Sequence, residues 1–382
     1  MNNLLDILNK SVNYLEKKNI KNARLTAESI IAEIMKMERI MLYAEFERVL
    51  SENELKKIRE KLNEIVNKSK EKKKSDNNDF ENTVKSEKQL KLLLDKSVQY
   101  LEKNDIQEGK LIAEIVFSHV LNIDRMMLFT KYRDDVEDEE IEKIRYFIQK
   151  IGREKFPVQY LLNEQEFYGR KFYVDRGVLI PRQDTEVLVE KMIDILRNNI
   201  IKNQNSQVHP KILDIGVGSG IIGITAALEI KDSYVLGVDI SEKALETAEK
   251  NKELLKVPNI KFLKSNLFEN IEFNQFDMIV SNPPYISLNE VGIMSDDTLL
   301  HEPSEALFAE NDGLYFYYEI CQKAFDYLAD FGYLLFEIGY KQGKNVAEIM
   351  TSSGFKNVEV IKDLAGLERV VVGQKIVNKI EN

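Results

Sequence analysis

The pattern of apolar runs predicts an α/β protein in which a mostly parallel seven-stranded sheet follows two copies of a small all-α helical bundle. Three observations carry this expectation. Beyond residue 210, short apolar runs alternate with amphipathic helical ones, as in a parallel sheet covered by helices on both faces. A glycine-rich turn, Gly216-Val217-Gly218-Ser219-Gly220, joins the first of those runs to a helical one. The N-terminal part of the chain repeats itself.

The repeat is read directly. Ser11-Val12-Asn13-Tyr14-Leu15-Glu16-Lys17 returns as Ser97-Val98-Gln99-Tyr100-Leu101-Glu102-Lys103, an offset of 86 residues. Without a gap, Leu25, Ala27 and Glu28 match Leu111, Ala113 and Glu114, and Arg39, Met41 and Leu42 match Arg125, Met127 and Leu128. Leu55, Ile58, Leu62 and Ile65 match Ile141, Ile144, Ile148 and Ile151. Apolar residues three and four apart in both copies predict small bundles of amphipathic helices, at 1–67 and 90–160. Two copies are too few for a solenoid, so a tandem duplication is the simpler account. Residues 68–89 are polar and read as a linker, with Lys72-Lys73-Lys74 as a solvated run.

The period changes at Gln165, where 161–382 is expected to begin the α/β domain. Residues 166–174 predict a hairpin turning near Gly169, and an amphipathic helix follows from about Asp184 to Asn199. Strands are expected at 211–217, 233–240, 259–264, 276–282, 332–338, 357–362 and 369–376. Helices are expected at 220–230, 242–255, 314–328 and 342–353.

With 382 residues, 43% of them hydrophobic, the chain can fill two or three cores. Its net charge of −10 disfavours broad nucleic-acid binding. The single cysteine, Cys321, lies in an apolar helical run, and no Cys/His cluster suggests a metal site. With no signal peptide and no 18-residue apolar run, a cytoplasmic protein without a membrane span is expected.

Two motifs point to chemistry. Ile212 to Gly220 is a strand and a glycine-rich turn through which the backbone can approach a ligand closely. The next strand ends in Asp239, placed to accept hydrogen bonds from ribose hydroxyls. Both features suit NAD and S-adenosylmethionine equally. The second motif is Asn282-Pro283-Pro284-Tyr285, directly after the strand Phe276–Val280. Two prolines force a turn at the carboxyl end of that strand, the edge where open α/β sheets hold ligands. A carboxamide oxygen, a proline carbonyl and a flat ring suit a planar –NH2 group. A nicotinamide enzyme has no evident use for that turn, whereas an amino-group methyltransferase does.

Further segments follow the same order: Leu179-Ile180-Pro181-Arg182 with Thr185-Glu186, Val238-Asp239-Ile240-Ser241, and His301-Glu302-Pro303 with Asp312-Gly313-Leu314. Near the end come Glu337-Ile338-Gly339, Lys362-Asp363-Leu364-Ala365-Gly366 and Arg369-Val370. From residue 92 to about 376 the chain resembles the protein-glutamine N5-methyltransferases that modify class I peptide release factors, of the Rossmann-like class I methyltransferase fold. Three departures stand out: Gln183 where the family has proline, Asn266 where it has aspartate, and a doubled helical domain.

The resemblance implies S-adenosylmethionine as cofactor, over Asp214, Gly216, Val217, Gly218, Ser219 and Gly220, with Asp239 on the ribose, Asn266 and Leu267 flanking the adenine, and Asn282 beside it. Asp214 could instead only steady the loop, and Leu267 could be plain core. Asn282, Pro283 and Tyr285 are the expected catalytic residues, and Pro284, Arg182 and Thr185 complete the substrate pocket. Arg182 could equally be a structural ion-pair partner, and His301 reads as structural. The implied substrate is the glutamine of the Gly-Gly-Gln tripeptide in class I release factors, free or ribosome-associated. A ribosomal-protein glutamine, or an amino group of DNA or RNA, are the alternatives.

Overall fold

The computed structural model describes the chain apart from residues 1–2, 19, 21–22, 38, 40–41, 43–47, 68–87, 202–208, 274, 288, 290–294 and 378–382. The polar stretch expected as a linker, with its lysine run, therefore lies almost wholly outside the described residues. The chain divides into two compact units, residues 1–155 and 156–382.

The first unit holds both helical copies. Helices Leu4–Lys17, Ala23–Met35 and 52–67 belong to the first copy. Helices Leu90–Lys103, Gly109–Leu121 and Asp138–Glu154, with a 3₁₀ segment Arg125–Lys131, belong to the second. The repeat extends to tertiary detail. A β-bridge joins Asn3 to Val49 and another joins Gln89 to Asp135, and the amide of Leu4 donates to Arg48 O as that of Leu90 donates to Asp134 O. Ser11 Oγ donates to Ile7 O (2.7 Å) and Ser97 Oγ to Leu93 O (2.8 Å), letting each hydroxyl pack inward without an unmet donor. A buried acid recurs as well. Glu28 pairs with Arg39 (3.0 Å) and Arg24 (3.3 Å), and Glu114 faces Arg125 (3.8 Å) and Lys110 (4.0 Å).

The second unit opens with the hairpin, β1 Gln165–Phe167 and β2 Arg170–Phe172. Tyr168 and Gly169 both have positive φ (49° and 68°), the two-residue turn that matches strand twist. Phe167 and Phe172 are buried on the core side. The sheet comprises β3 Lys211–Ile215, β4 Tyr234–Asp239, β5 Ile260–Lys264, β6 Phe276–Ser281, β7 Leu328–Glu337, β8 Lys356–Lys362 and β9 Glu368–Gln374. Their spatial order is β5-β4-β3-β6-β7-β9-β8, parallel from β5 to β7, with β9 antiparallel between β7 and β8. Helices pack on both faces, as the buried Ile222 and Ile224 on one side and Tyr317 and Ile320 on the other illustrate.

Two expectations shift. The helix from 184 is α-helical only over Thr185–Ile195 and continues as a wider π turn over Leu196–Ile201. β7 begins at Leu328, not 332, because Leu328 pairs with Phe276 across an irregular register. The sequence there, Ala329-Asp330-Phe331-Gly332, reads as a turn, and Phe331 does adopt positive φ (65°).

One side chain ties the hairpin segment to the glycine-rich loop. Asn251, fully buried on helix Glu242–Leu255, accepts from Tyr173 N (2.6 Å) and donates to Tyr173 O (2.9 Å) and Ser219 O (2.8 Å). Asn251→Ala would strand three backbone groups and should lower the denaturation free energy by about 2–3 kcal/mol, measured by urea unfolding. A loss below about 0.5 kcal/mol would show that these bonds are replaced by water.

Candidate active site

The connections after β3 and β6 leave in opposite directions, toward β4 and toward β7. Such a switch point opens a crevice at the carboxyl ends of the strands. A cavity of about 520 Å³ lies there, within the usual range for small-molecule sites. Its walls come from the loop after β3 (Gly216 to Ser219), Asp239 to Ser241 after β4, Ser265 to Leu267 after β5, and Ser281 to Pro284 at the end of β6. The segment Gly177–Arg182, Thr185, Lys243, Pro303 to Ala306 and Phe316 complete it.

The loop after β3 is a cradle. Gly216 has φ +73° and a Cβ there would meet nothing, so the backbone lies bare against the cavity. Asp239 fixes its shape: Oδ2 accepts from Gly218 N and Oδ1 from Ser241 N, both at 2.9 Å. Burial raises the carboxyl pKa of Asp239, and those backbone bonds oppose the shift. Asn251 holds the same loop from below through Ser219 O.

At the end of β6, Asn282 Nδ2 donates to Thr185 Oγ1 (3.4 Å), which turns the NH2 toward Thr185 and leaves Oδ1 as an acceptor. Thr185 opens helix Thr185–Ile195 and is almost fully buried. Asn266 donates from Nδ2 to Glu269 (2.9 Å), which again leaves its carbonyl oxygen as the group available to the cavity. Leu267 beside it adopts φ +50° and also lines the cavity.

Arg182 stands on the wall as an ion-pair partner. Its Nη2 lies 2.5 Å from Glu302 Oε1, and Glu302 Oε2 accepts from Ile180 N (3.0 Å). Glu302 thus ties the stretch that follows the Asn-Pro-Pro-Tyr turn to the Leu179–Arg182 segment. His301 packs its ring against Phe156 at 4.9 Å, a structural placement.

Three residues expected at the site do not line the cavity. Asp214 is completely buried, and its Oδ2 accepts from Gly223 N (2.8 Å) at the start of helix Ile221–Glu229. Gly220 faces that helix, where a Cβ would press on Ile224 and Ala248. Tyr285 is half-buried and packs against the core beside Gly339, its carbonyl held by Gln342 Nε2 (3.0 Å), and burial pushes its hydroxyl pKa up. One residue was quoted within the Glu337-Ile338-Gly339 segment but given no role: Glu337, at the end of β7, whose carboxylate the Thr185 and Asn282 side chains act on. A charged residue closing the apolar run Leu334-Leu335-Phe336 is the signal that could have flagged it.

Strand order, glycine cradle and acid at the end of β4 define a class I methyltransferase. The methyltransferase small domain matches residues 182–366, and the PrmC N-terminal domain matches twice, at 6–68 and 93–162. A release factor glutamine methyltransferase of Fusobacterium nucleatum is 41% identical over 352 residues, 91% of this chain and 95% of that one. Its counterpart in Clostridium botulinum is 38% identical over 75% of this chain and 99% of its own length. A third, from Thermodesulfovibrio yellowstonii, is 37% identical over 69% and 91%. The chain belongs to the release factor glutamine methyltransferase family.

S-adenosylmethionine is the methyl donor of this class, and the cavity fits it: a bare backbone cradle, an acid at the end of β4 and a carboxamide oxygen beside Leu267. Among the described residues, no group of three or more His, Cys, Asp or Glu could hold a metal ion, and no helix is long and apolar enough to cross a membrane.

Burial raises the Asp214 carboxyl to about 7, with Asp239 adding to the shift and the Gly223 amide opposing it. A carboxyl raised on folding contributes stability that is present at low pH and lost as pH rises from its unfolded value, about 4, through about 7. Asp214→Asn keeps an acceptor for Gly223 and removes the buried charge. The denaturation free energy of the variant relative to the wild type should therefore increase steadily from pH 4.5 to 7.5. A pH-independent difference would show that Asp214 does not titrate in the folded protein.

Proposed function

We propose that this chain transfers the methyl group of S-adenosylmethionine to the side-chain amide nitrogen, N5, of the glutamine in the Gly-Gly-Gln tripeptide of class I release factors. The observation that carries the reading is the orientation of Asn282: its NH2 group donates to Thr185, so its oxygen is offered to the cavity. An acceptor beside a proline carbonyl, on the wall of the donor cavity, suits a substrate carboxamide that presents two N–H groups.

The donor supplies a methyl already activated on a sulfonium. The protein's task is the nucleophile, whose lone pair is delocalised into its own carbonyl. Asn282 Oδ1 and the Pro283 carbonyl would each accept one amide hydrogen and turn the nitrogen toward the methyl. Positive charge develops on that nitrogen in the transition state, and acceptors aimed at its hydrogens stabilise it. Asn282 is not a base, so proton loss follows transfer. Pro284 and the Arg182–Glu302 pair shape the entrance, and Tyr285 supports the turn from the core side. Glycines before the glutamine would make its loop thin enough to enter.

In this reading the site acts in the cytoplasm on a protein partner, release factor, free or on the ribosome, and does not bind nucleic acid directly. Asn282→Ala should lower the transfer rate about 10²–10³-fold, since it removes one aligned acceptor, while binding S-adenosylmethionine nearly as the wild type does. Tritium transfer and calorimetry read the two quantities. Mass spectrometry should place the methyl on the tripeptide glutamine; a methyl found on ribosomal protein or on DNA instead would replace the substrate assignment.

Residues 90–160, which run directly into the hairpin, are the copy we assign to gripping the protein substrate alongside the catalytic domain 161–382. The copy at 1–67 would be an addition beyond the linker 68–89. A protein beginning near Lys88 should stay folded and keep most of its activity. If the first copy adds a substrate contact, KM for release factor rises with little change in kcat. An insoluble or inactive truncation would show that the first copy is integral to the fold.

A further inference from the structure

Glu337 closes β7, and Phe336 before it pairs with Ser281 on β6, which brings Glu337 level with Asn282. Its side chain is buried, with 1% of the residue exposed. Thr185 and Asn282 are the polar side chains that act on its carboxylate, and Asn282 Nδ2 donates to Thr185 Oγ1 (3.4 Å). Oε2 has no hydrogen bond of its own among the described residues. Other charged or polar groups face it from the neighbouring elements. Asp184 precedes the Thr185 helix, and Arg369 on β9 is bound to Asp184 (2.8 Å) and Asp363 (3.0 Å). The Tyr285 hydroxyl is close enough for the Glu337 charge to act on it, and the Tyr317 hydroxyl donates to the backbone oxygen of Glu337 (3.0 Å).

A carboxamide can rotate by half a turn and exchange its oxygen for its NH2 at little steric cost. For Asn282 the two orientations have opposite consequences. With the oxygen toward the cavity, the site accepts from a substrate –NH2. With the NH2 toward the cavity, two donors face each other and no bond forms. What decides is the direction of the hydrogen bonds behind Asn282. An ionised carboxylate only accepts. It therefore takes the Thr185 proton, and Thr185 Oγ1 is left to accept from Asn282 Nδ2.

We propose that Glu337 is a positioning residue which, through the Thr185 hydroxyl, holds the Asn282 carboxamide with its oxygen toward the cavity and so makes the site selective for a donor –NH2. This rests on the reading of Asn282 as the acceptor for the substrate amide. It also gives the site a means of telling glutamine from glutamate: a carboxylate side chain offers Asn282 Oδ1 no proton and meets an acceptor instead of a partner. Protonating Glu337 reverses the relay, because the acid can then donate to Thr185. Burial pushes its carboxyl up to about 7, so kcat should fall as pH drops below about 7.

The test uses the full-length enzyme with release factor as methyl acceptor, and S-adenosylmethionine as the calorimetric ligand. Glu337→Gln keeps the shape but can donate to Thr185. It should lower kcat about 10–100-fold, the usual effect of losing a residue that orients a reacting group, with donor affinity within about two-fold of wild type. The acid limb of the kcat–pH profile should disappear. Thr185→Val should show a similar loss, and Thr185→Ser should recover at least ten-fold over Thr185→Val. Wild-type kcat with the acid limb intact in Glu337→Gln would overturn the proposal. If that variant fails to fold, equal activity of Thr185→Val and Thr185→Ser would overturn it instead. Full turnover by Asn282→Ala would overturn both this proposal and the acceptor role it rests on.

Discussion

The cavity exists because the chain leaves β3 and β6 in opposite directions. Neighbouring parallel strands normally send their connections the same way and close the space above them. Here β3 connects toward β4 and β6 toward β7, so the carboxyl ends of these two central strands stand beside an open crevice. Everything assigned to the chemistry is a consequence. The glycine cradle is the exit from β3, Asp239 the exit from β4, Asn266 the exit from β5, and Asn282 the exit from β6. Pro283 and Pro284 have no N–H to continue a ladder, so the chain turns out of the sheet with its Asn282 side chain at the wall.

Carboxylates at strand ends keep that edge rigid. Asp214 on β3 holds the amide of Gly223. Asp239 on β4 holds the amides of Gly218 and Ser241. Glu337 on β7 is buried where the Thr185 and Asn282 side chains act on it. Burying a carboxylate is unfavourable unless hydrogen bonds replace its water, and the upward shift of all three acids records that cost. In return each loop has one defined shape before any ligand arrives, so little reorganisation accompanies binding.

Much of this was legible in the sequence because strand ends carry punctuation. Glycines after 215, Asp239 after an apolar run and two prolines after 282 are local signals that need no knowledge of the far chain. Strand order, the start of β7 and the placement of Tyr285 were not legible. Tyr285 belongs to a motif that reads as a binding turn, yet its ring lies beside Gly339, more than fifty residues on. Asp214 sits in the glycine-rich segment and still faces the helix, because Gly223 offers it an amide on the side away from the cavity. Glu337 was given no role for the converse reason: the residues beside it are apolar or glycine, and Thr185 and Asn282 lie far upstream.

The duplicated helical region shows what a copy must keep. The recurring features are not confined to apolar positions, where many substitutions would fill a core. The inward serine, the bridge that closes the start of the first helix, and the buried acid with its flanking cations recur at the same offset of 86. Each of these satisfies a polar group that folding removes from water, and such groups tolerate change less well than an aliphatic side chain does. The acid is held more loosely in the second copy, with its cations at 3.8 and 4.0 Å against 3.0 and 3.3 Å in the first, and Glu114 Oε1 is left without a hydrogen bond. Among the described residues, the buried acid of the first copy thus keeps the closer ion pairs.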